Sequence, residues 1–278
     1  MYRIFLIFFL IFSFCFSEET KYIHWNTVSF PPALISKGEL KNQGYFDIVR
    51  NEIIKDLNFY KHVVEFGNSK LALTNLKRLK NGCFSGLNMN KKRKKFIHFS
   101  QPIIYSLPNE ITIKKSSFSK FKKYLTSNNE MDLLKLLRDD ALMLGYVDSR
   151  AYNSYVDELL EDFKLNKKVF ARKSTGLTKG LLQMLARSRV DYIIEYPTMV
   201  TYHQKKYEID SEFFHFPIKN ASEVINVYVG CSKTKVGNKI ISDIDEVIKK
   251  KKNYFMDVYK KWVPRNALKR YNKVIKLQ

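Results

Sequence analysis

A two-lobed α/β chain is what this sequence predicts, and three patterns predict it. Between residues 22 and 87 the apolar periodicity alternates strand, helix, strand, helix, strand, the order of a parallel sheet with helices on its faces. Residues 99–114 are extended and interrupted by Pro102 and Pro108, which suits a crossing between lobes better than a core strand. A second α/β series follows, and about 260 residues beyond the N-terminal leader exceed what one core usually holds.

The first lobe opens with an alternating strand at residues 22–28. Ser29-Phe30-Pro31-Pro32 stops it, because proline has no N–H for a ladder. A loop containing Gly38 and Gly44 leads to residues 45–58, where Phe46, Val49, Ile53, Ile54 and Leu57 share one helical face. A strand at 62–66, a helix at 69–80 that Gly82 ends, and a buried strand at 83–87 complete the series. In parallel α/β sheets, ligands sit at the carboxyl ends of strands. The strand at 83–87 delivers the polar loop of residues 88–102 there, and within it Arg93. A guanidinium offers two parallel donors and keeps its charge at any relevant pH, so it suits a carboxylate. Lys91, Lys92, Lys94 and Lys95 flank it, and a run of like charges is ordinarily solvated. Placement at a strand end assigns Arg93 to a cleft and leaves the lysines in water.

In the second half, helices are expected at 131–138, 149–163 and 175–188, the last capped by Ser174 or Thr175, with strands at 141–146, 168–171 and 190–195. Residues 222–231 are extended and return toward the first lobe. Ile240, Ile241, Ile244, Val247 and Ile248 form a helical stripe that Phe255, Val258, Tyr259 and Trp262 continue. The lysine run at 249–252 reads as a solvated helix face. The expected division is residues 1–17 as a leader, 18–110 plus 228–278 as lobe 1, and 111–227 as lobe 2.

The leader carries Arg3, an uncharged apolar run at 4–16, and Cys15-Phe16-Ser17 before Glu18-Glu19. This is the pattern of a secretory signal peptide cleaved after Ser17, and it is shorter than the roughly 20 residues of a spanning helix. Bulky Phe14 before Cys15 argues against lipid attachment. The expected location is periplasmic or otherwise extracytoplasmic. The net charge of +22 draws anions, but no RNP signature, zinc-finger spacing or arginine-rich tail accompanies it, so no nucleic-acid partner is expected. Cys83 and Cys231 remain outside the leader, either bridged or buried as small hydrophobes. Gly82-Cys-Phe-Ser-Gly86 places its serine one position late for a nucleophile elbow. The histidines at 24, 62, 98, 203 and 215 lack metal-ligand spacing, and no phosphate loop occurs, so no cofactor or metal is expected.

Taken in order, Phe30-Pro-Pro32, Gly44-Tyr-Phe-Asp47, Asn90-Lys-Lys-Arg93, Phe99-Ser-Gln-Pro102 and the helix containing Trp262 resemble the bacterial extracellular solute-binding proteins, family 3, of the polar amino-acid type with the type II periplasmic binding fold. The stretch Arg189-Val-Asp-Tyr-Ile-Ile-Glu-Tyr-Pro197 resembles a poorly characterised branch of that family. The resemblance spans nearly the whole chain after the leader. It implies a clamshell of two mostly parallel sheets flanked by helices, which closes over a small carboxylate-bearing, amino-acid-like solute. It also implies a monomer whose partner is the membrane permease of an ABC transporter. Arg93 takes the place of the carboxylate anchor, and Asn90 stands where the family has threonine. Trp25, Phe30 and Tyr45 lie where aromatic walls are placed. Ser149 and Arg150 fall where a Gly-Thr pair offers donors, and an arginine there would suit a doubly acidic ligand. The family's amino-group acceptor falls on Tyr196, with Glu195 one position early, where a one-residue shift reverses the strand face; either a bulge restores Glu195 to the cleft as a ligand-binding residue, or the ligand has no amino group there. The same scheme brings Cys83 near Cys231 and implies a disulfide. Two other readings stand beside this one. One is a dehydratase-like enzyme on the same scaffold, with Glu195 facing Arg93 as general acid or base. The other is a basic wall- or surface-binding protein, which a filled cleft with a flat basic face would favour.

Overall fold

The computed structural model describes residues 21–148, 150–173 and 177–276. The expected leader, Ser149 and the expected helix cap at Ser174 or Thr175 lie outside the described residues. In chain order the first series is β1 (Tyr22–Thr27), α1 (Tyr45–Asp56), β2 (Lys61–Phe66), α2 (Ser69–Arg78), β3 (Gly82–Asn88) and β4 (Ile97–Ser106). The second is β5 (Glu110–Lys114), α3 (Phe118–Phe121), α4 (Leu133–Leu137), β6 (Leu144–Val147), α5 (Ser154–Asp162), β7 (Val169–Arg172), α6 (Leu177–Ala186), β8 (Tyr192–Glu195), α7 (Pro197–Lys206) and β9 (Phe213–Phe216). The chain then returns through β10 (Ile225–Ser232) to α8 (Lys235–Lys260) and α9 (Arg265–Ile275).

Two five-stranded sheets result, in the orders β2-β1-β3-β10-β4 and β7-β6-β8-β5-β9. Pairs of β1 with β2 and β3 are parallel, as are those of β6 with β7 and β8; β10 and β5 run antiparallel to their neighbours. Each sheet has its own core. Ile23, Val49, Ile53, Ile104, Ile240, Ile244 and Phe255 pack in the first, and Ile111, Leu133, Leu144, Val156 and Ile194 in the second. A further cluster with Leu181, Leu182, Leu185 and Ile193 also packs on the second sheet, so the two sheets are cored separately.

Residues 99–114 differ from the expected loose crossing. They form β4 and β5, one in each sheet, with only residues 107–109 between them. Proline is tolerated here because β4 is the outer strand and Pro102 lies at a register shift opposite Tyr228. The Leu107 N–H donates to the Tyr259 hydroxyl at 2.7 Å, so α8 fixes the crossing. Cys83 and Cys231 face each other in the β3–β10 ladder and are joined by a disulfide, closing a separation of 148 residues. The expected helix at 149–163 begins only at Ser154, where the Asn153 side chain caps it by accepting from the Val156 N–H at 3.0 Å. The lysine run on α8 is not wholly solvated: Lys251 bonds Glu52 and Asp56 of α1, each at 2.7 Å.

Beside the crossing, Glu110 is fully buried and bonded to Arg270 of α9 at 2.7 Å, and its register partner is Glu195. Burial outweighs Arg270 and raises the Glu110 carboxyl to about 7. A raised carboxyl favours the folded state while protonated, and that contribution fades as pH rises from about 4.5 through 7. The melting temperature should therefore fall between pH 5 and pH 8 by the equivalent of about 3 kcal/mol. Glu110→Gln should remove most of that slope in thermal melts, and an unchanged slope would assign the titration elsewhere.

Candidate functional site

A cavity of about 260 Å³ lies between the two sheets. The first lobe lines it with Phe30, Tyr45, Phe46, Phe84, Arg93 and Tyr259, and the second closes it with Tyr196, Thr198 and Met199. Among the described residues, Arg93 is the single charged side chain on its wall.

Local sequence places these groups. The Gly44-Tyr-Phe-Asp47 stretch begins α1, and Asp47 Oδ2 accepts from the backbone N–H groups of Ile35 at 2.7 Å and Gly44 at 3.2 Å. That buried carboxylate also pairs with Arg50 at 3.0 Å, so it holds the 33–44 loop against the helix rather than a ligand. A Cβ on Gly44 would lie 2.4 Å from the Ala33 carbonyl oxygen, which explains glycine there. Tyr45 and Phe46 then point to the cavity from the first turn of α1. Burial pushes the Tyr45 phenol far above its ordinary pKa, and the Thr198 hydroxyl lies against it from the other lobe. Phe30 is 41% exposed and meets the Tyr196 ring edge-on at 6.3 Å, a second contact across the gap.

Arg93 opens a short 3-10 turn, Arg93–Lys95, after β3. Its N–H donates to Asn90 Oδ1 at 2.8 Å, and Nη1 donates to the Asn88 carbonyl at 2.7 Å. No carboxylate lies within salt-bridge distance of it among the described residues, while four flanking lysines are exposed. Partial burial lowers its pKa from the ordinary value.

The other arginine behaves differently. Arg150 Nη1 pairs with Glu195 Oε1, and Glu195 is fully buried. Glu195 also accepts from Thr178 Oγ1 at 2.7 Å and from the Tyr196 N–H at 2.9 Å, so both of its oxygens are engaged. Arg150 lies behind the Tyr196 ring, 5.5 Å from its centroid. Neither residue lines the cavity.

The structure thus brings Phe30, Tyr45, Arg93 and Tyr196 together. Trp25 does not join them: it is fully buried under β1, where its indole N–H donates to His62 Nδ1 at 3.1 Å. Asn90 is spent on the Arg93 turn and does not line the cavity, and Ser149 lies outside the described residues. Glu195 and Arg150 satisfy each other instead of facing a ligand, which also removes the acid or base expected opposite Arg93. Thr198 and Met199 went unnoticed in the sequence because α7 did, although Pro197 at its first position is a helix-start signal. A larger groove of about 800 Å³, lined by Lys37, Lys205, Lys206, Lys261, Tyr202 and Trp262, contains none of the expected site residues.

No protein-family model matches the chain, and no curated protein matches it in sequence. Solved structures match it in shape. A probable amino-acid ABC transporter extracellular-binding protein from Bacillus subtilis is 16% identical, with TM-score 0.65 over 88% of this chain and 98% of that one. The chain has the type II periplasmic binding fold. A second protein of this fold, an amino acid ABC transporter substrate-binding protein from Streptococcus pneumoniae bound to L-arginine, is 14% identical, with TM-score 0.56 over 87% and 92%. A histidine kinase sensor domain similar to periplasmic binding proteins is 14% identical, with TM-score 0.58 over 87% and 95%.

Replacing Glu195 with Gln should strand the Arg150 cation in a nearly dry site and cost about 3 kcal/mol in urea unfolding. Replacing both, with Arg150→Met and Glu195→Leu, should recover most of that loss. A Gly86→Ala substitution should destabilise by about 2 kcal/mol, since φ there is +102° and the new Cβ would sit 2.4 Å from the Phe46 ring. Far smaller losses in the same unfolding series would contradict these assignments.

Proposed function

We propose that this protein is an exported receptor that closes over a small carboxylate-bearing solute and presents it to the membrane permease of an ABC transporter. The observation that carries this reading is Arg93, the single charged side chain among the described residues of a mainly apolar and aromatic cavity between two separately cored lobes. Two parallel N–H donors of a guanidinium match a carboxylate, and aromatic walls from both lobes favour the closed form once a solute bridges them. At about 260 Å³ the cavity is near the small end of ligand sites, which supports a solute of single amino-acid size. The proposed lobes are residues 18–110 with 228–278, and 111–227, and the closing motion runs through the two crossings between them. The leader at 1–17 supports an extracytoplasmic location, and a disulfide between Cys83 and Cys231 suits an oxidising compartment. The protein acts as a monomer. Among the described residues no helix is long and apolar enough to cross a membrane. Glu195 is occupied by Arg150, which favours a receptor over an acid–base enzyme.

Calorimetric titration with a panel of small carboxylates tests this. At least one should bind at micromolar concentration or better, and mass spectrometry should recover it unchanged. Arg93→Gln should weaken that binding by about 10- to 100-fold, the worth of a charge-assisted pair, while leaving the ligand-free melting temperature nearly unaltered. Undiminished binding by the variant would refute the anchor.

A further inference from the structure

An amino acid presents two charges to its receptor, and this cavity has a partner for one. Arg93 matches a carboxylate. Among the described residues no Asp or Glu lines the cavity, and the carboxylates outside them are Glu18 and Glu19, just after the expected leader. Two acidic residues adjoin the cavity wall in sequence, Asp47 after Phe46 and Glu195 before Tyr196. Asp47 is taken up by Arg50 and the Ile35 and Gly44 N–H groups, and Glu195 is likewise engaged. Arg150, Thr178 and the Tyr196 N–H occupy it, and the Tyr196 ring stands on the cavity side. Drawing Glu195 toward an ammonium group would abandon Arg150 in a site where its side chain is 12% exposed. The remaining wall is mainly apolar and aromatic, with Val28, Leu34, Phe84, Leu87, Met199 and Val227, and its polar side chains Ser69, Asn88, Ser106 and Thr198 are uncharged, so a desolvated cation would meet no countercharge there.

We infer that the cavity takes an apolar monocarboxylate lacking an α-ammonium group, held by Arg93 at one end and by the aliphatic and aromatic wall along its body. This rests on the receptor reading above and narrows its solute class. Branched-chain and aryl-substituted carboxylates of about the size of leucine or phenylalanine fit the volume. Selectivity comes from omission: a zwitterion would lose the hydration of its ammonium and gain no countercharge.

The test compares matched pairs that differ only in the amine, 4-methylpentanoate against L-leucine and 3-phenylpropanoate against L-phenylalanine, by calorimetric titration of the wild-type protein and of Arg93→Gln. The expected result is that the deamino member of at least one pair binds at least about tenfold more tightly than its amino acid, and that Arg93→Gln weakens the binding of both by about 10- to 100-fold. An amino acid that binds as tightly as its deamino partner, or more tightly, and depends on Arg93, overturns the inference and leaves the receptor reading standing. Failure of all four to bind, or binding undiminished by Arg93→Gln, overturns both.

Discussion

The ion pair between Arg150 and Glu195 decides the chemistry of this cleft, although neither residue lines it. Two opposite charges buried together, with Thr178 and a backbone N–H also donating to the carboxylate, form a neutral unit behind the Tyr196 ring. Desolvation makes such a pair expensive to break from either side. The cavity is therefore left with Arg93 as its only formal charge among the described residues, and the proposed preference for a carboxylate rests on that imbalance.

Arg93 in turn depends on backbone geometry rather than on other side-chain charges. The turn after β3 is held by Asn90, and one donor of the guanidinium is fixed on the Asn88 carbonyl. β3 itself is tied to the returning β10 by the disulfide and the antiparallel ladder. On the other side of the cavity, Asp47 locks the loop that carries Phe30 and places Tyr45 and Phe46. The two walls are rigid for different reasons. The gap between them is spanned by aromatic contacts, which a sliding or opening motion can break at small cost.

The fold was readable because periodicity alternated so regularly in residues 22–87, and Arg93 was readable because a loop after a parallel strand lies at the binding edge. β8 ends at Glu195, which is fully buried, whereas Tyr196, at the start of α7, lines the cavity. What the sequence hid were partners far away in the chain. Trp25 looks like a cleft aromatic until His62, 37 residues on, accepts its N–H inside the core. Arg150 looks like a ligand donor until Glu195, 45 residues on, takes its charge. The strands at 97–106 and 110–114 were obscured by their prolines, which edge position and a register shift accommodate. Nothing local marks these pairings, since each is set by sheet order.

Nitrogen-15 NMR of arginine side chains during titration with 3-phenylpropanoate tests the central claim most directly, because it reports the two guanidinium groups separately. The account predicts that the Arg93 resonance shifts with saturation while that of Arg150 stays in place. A shift confined to Arg150, with Arg93 unmoved, would show that the buried pair opens to the ligand and would contradict the account.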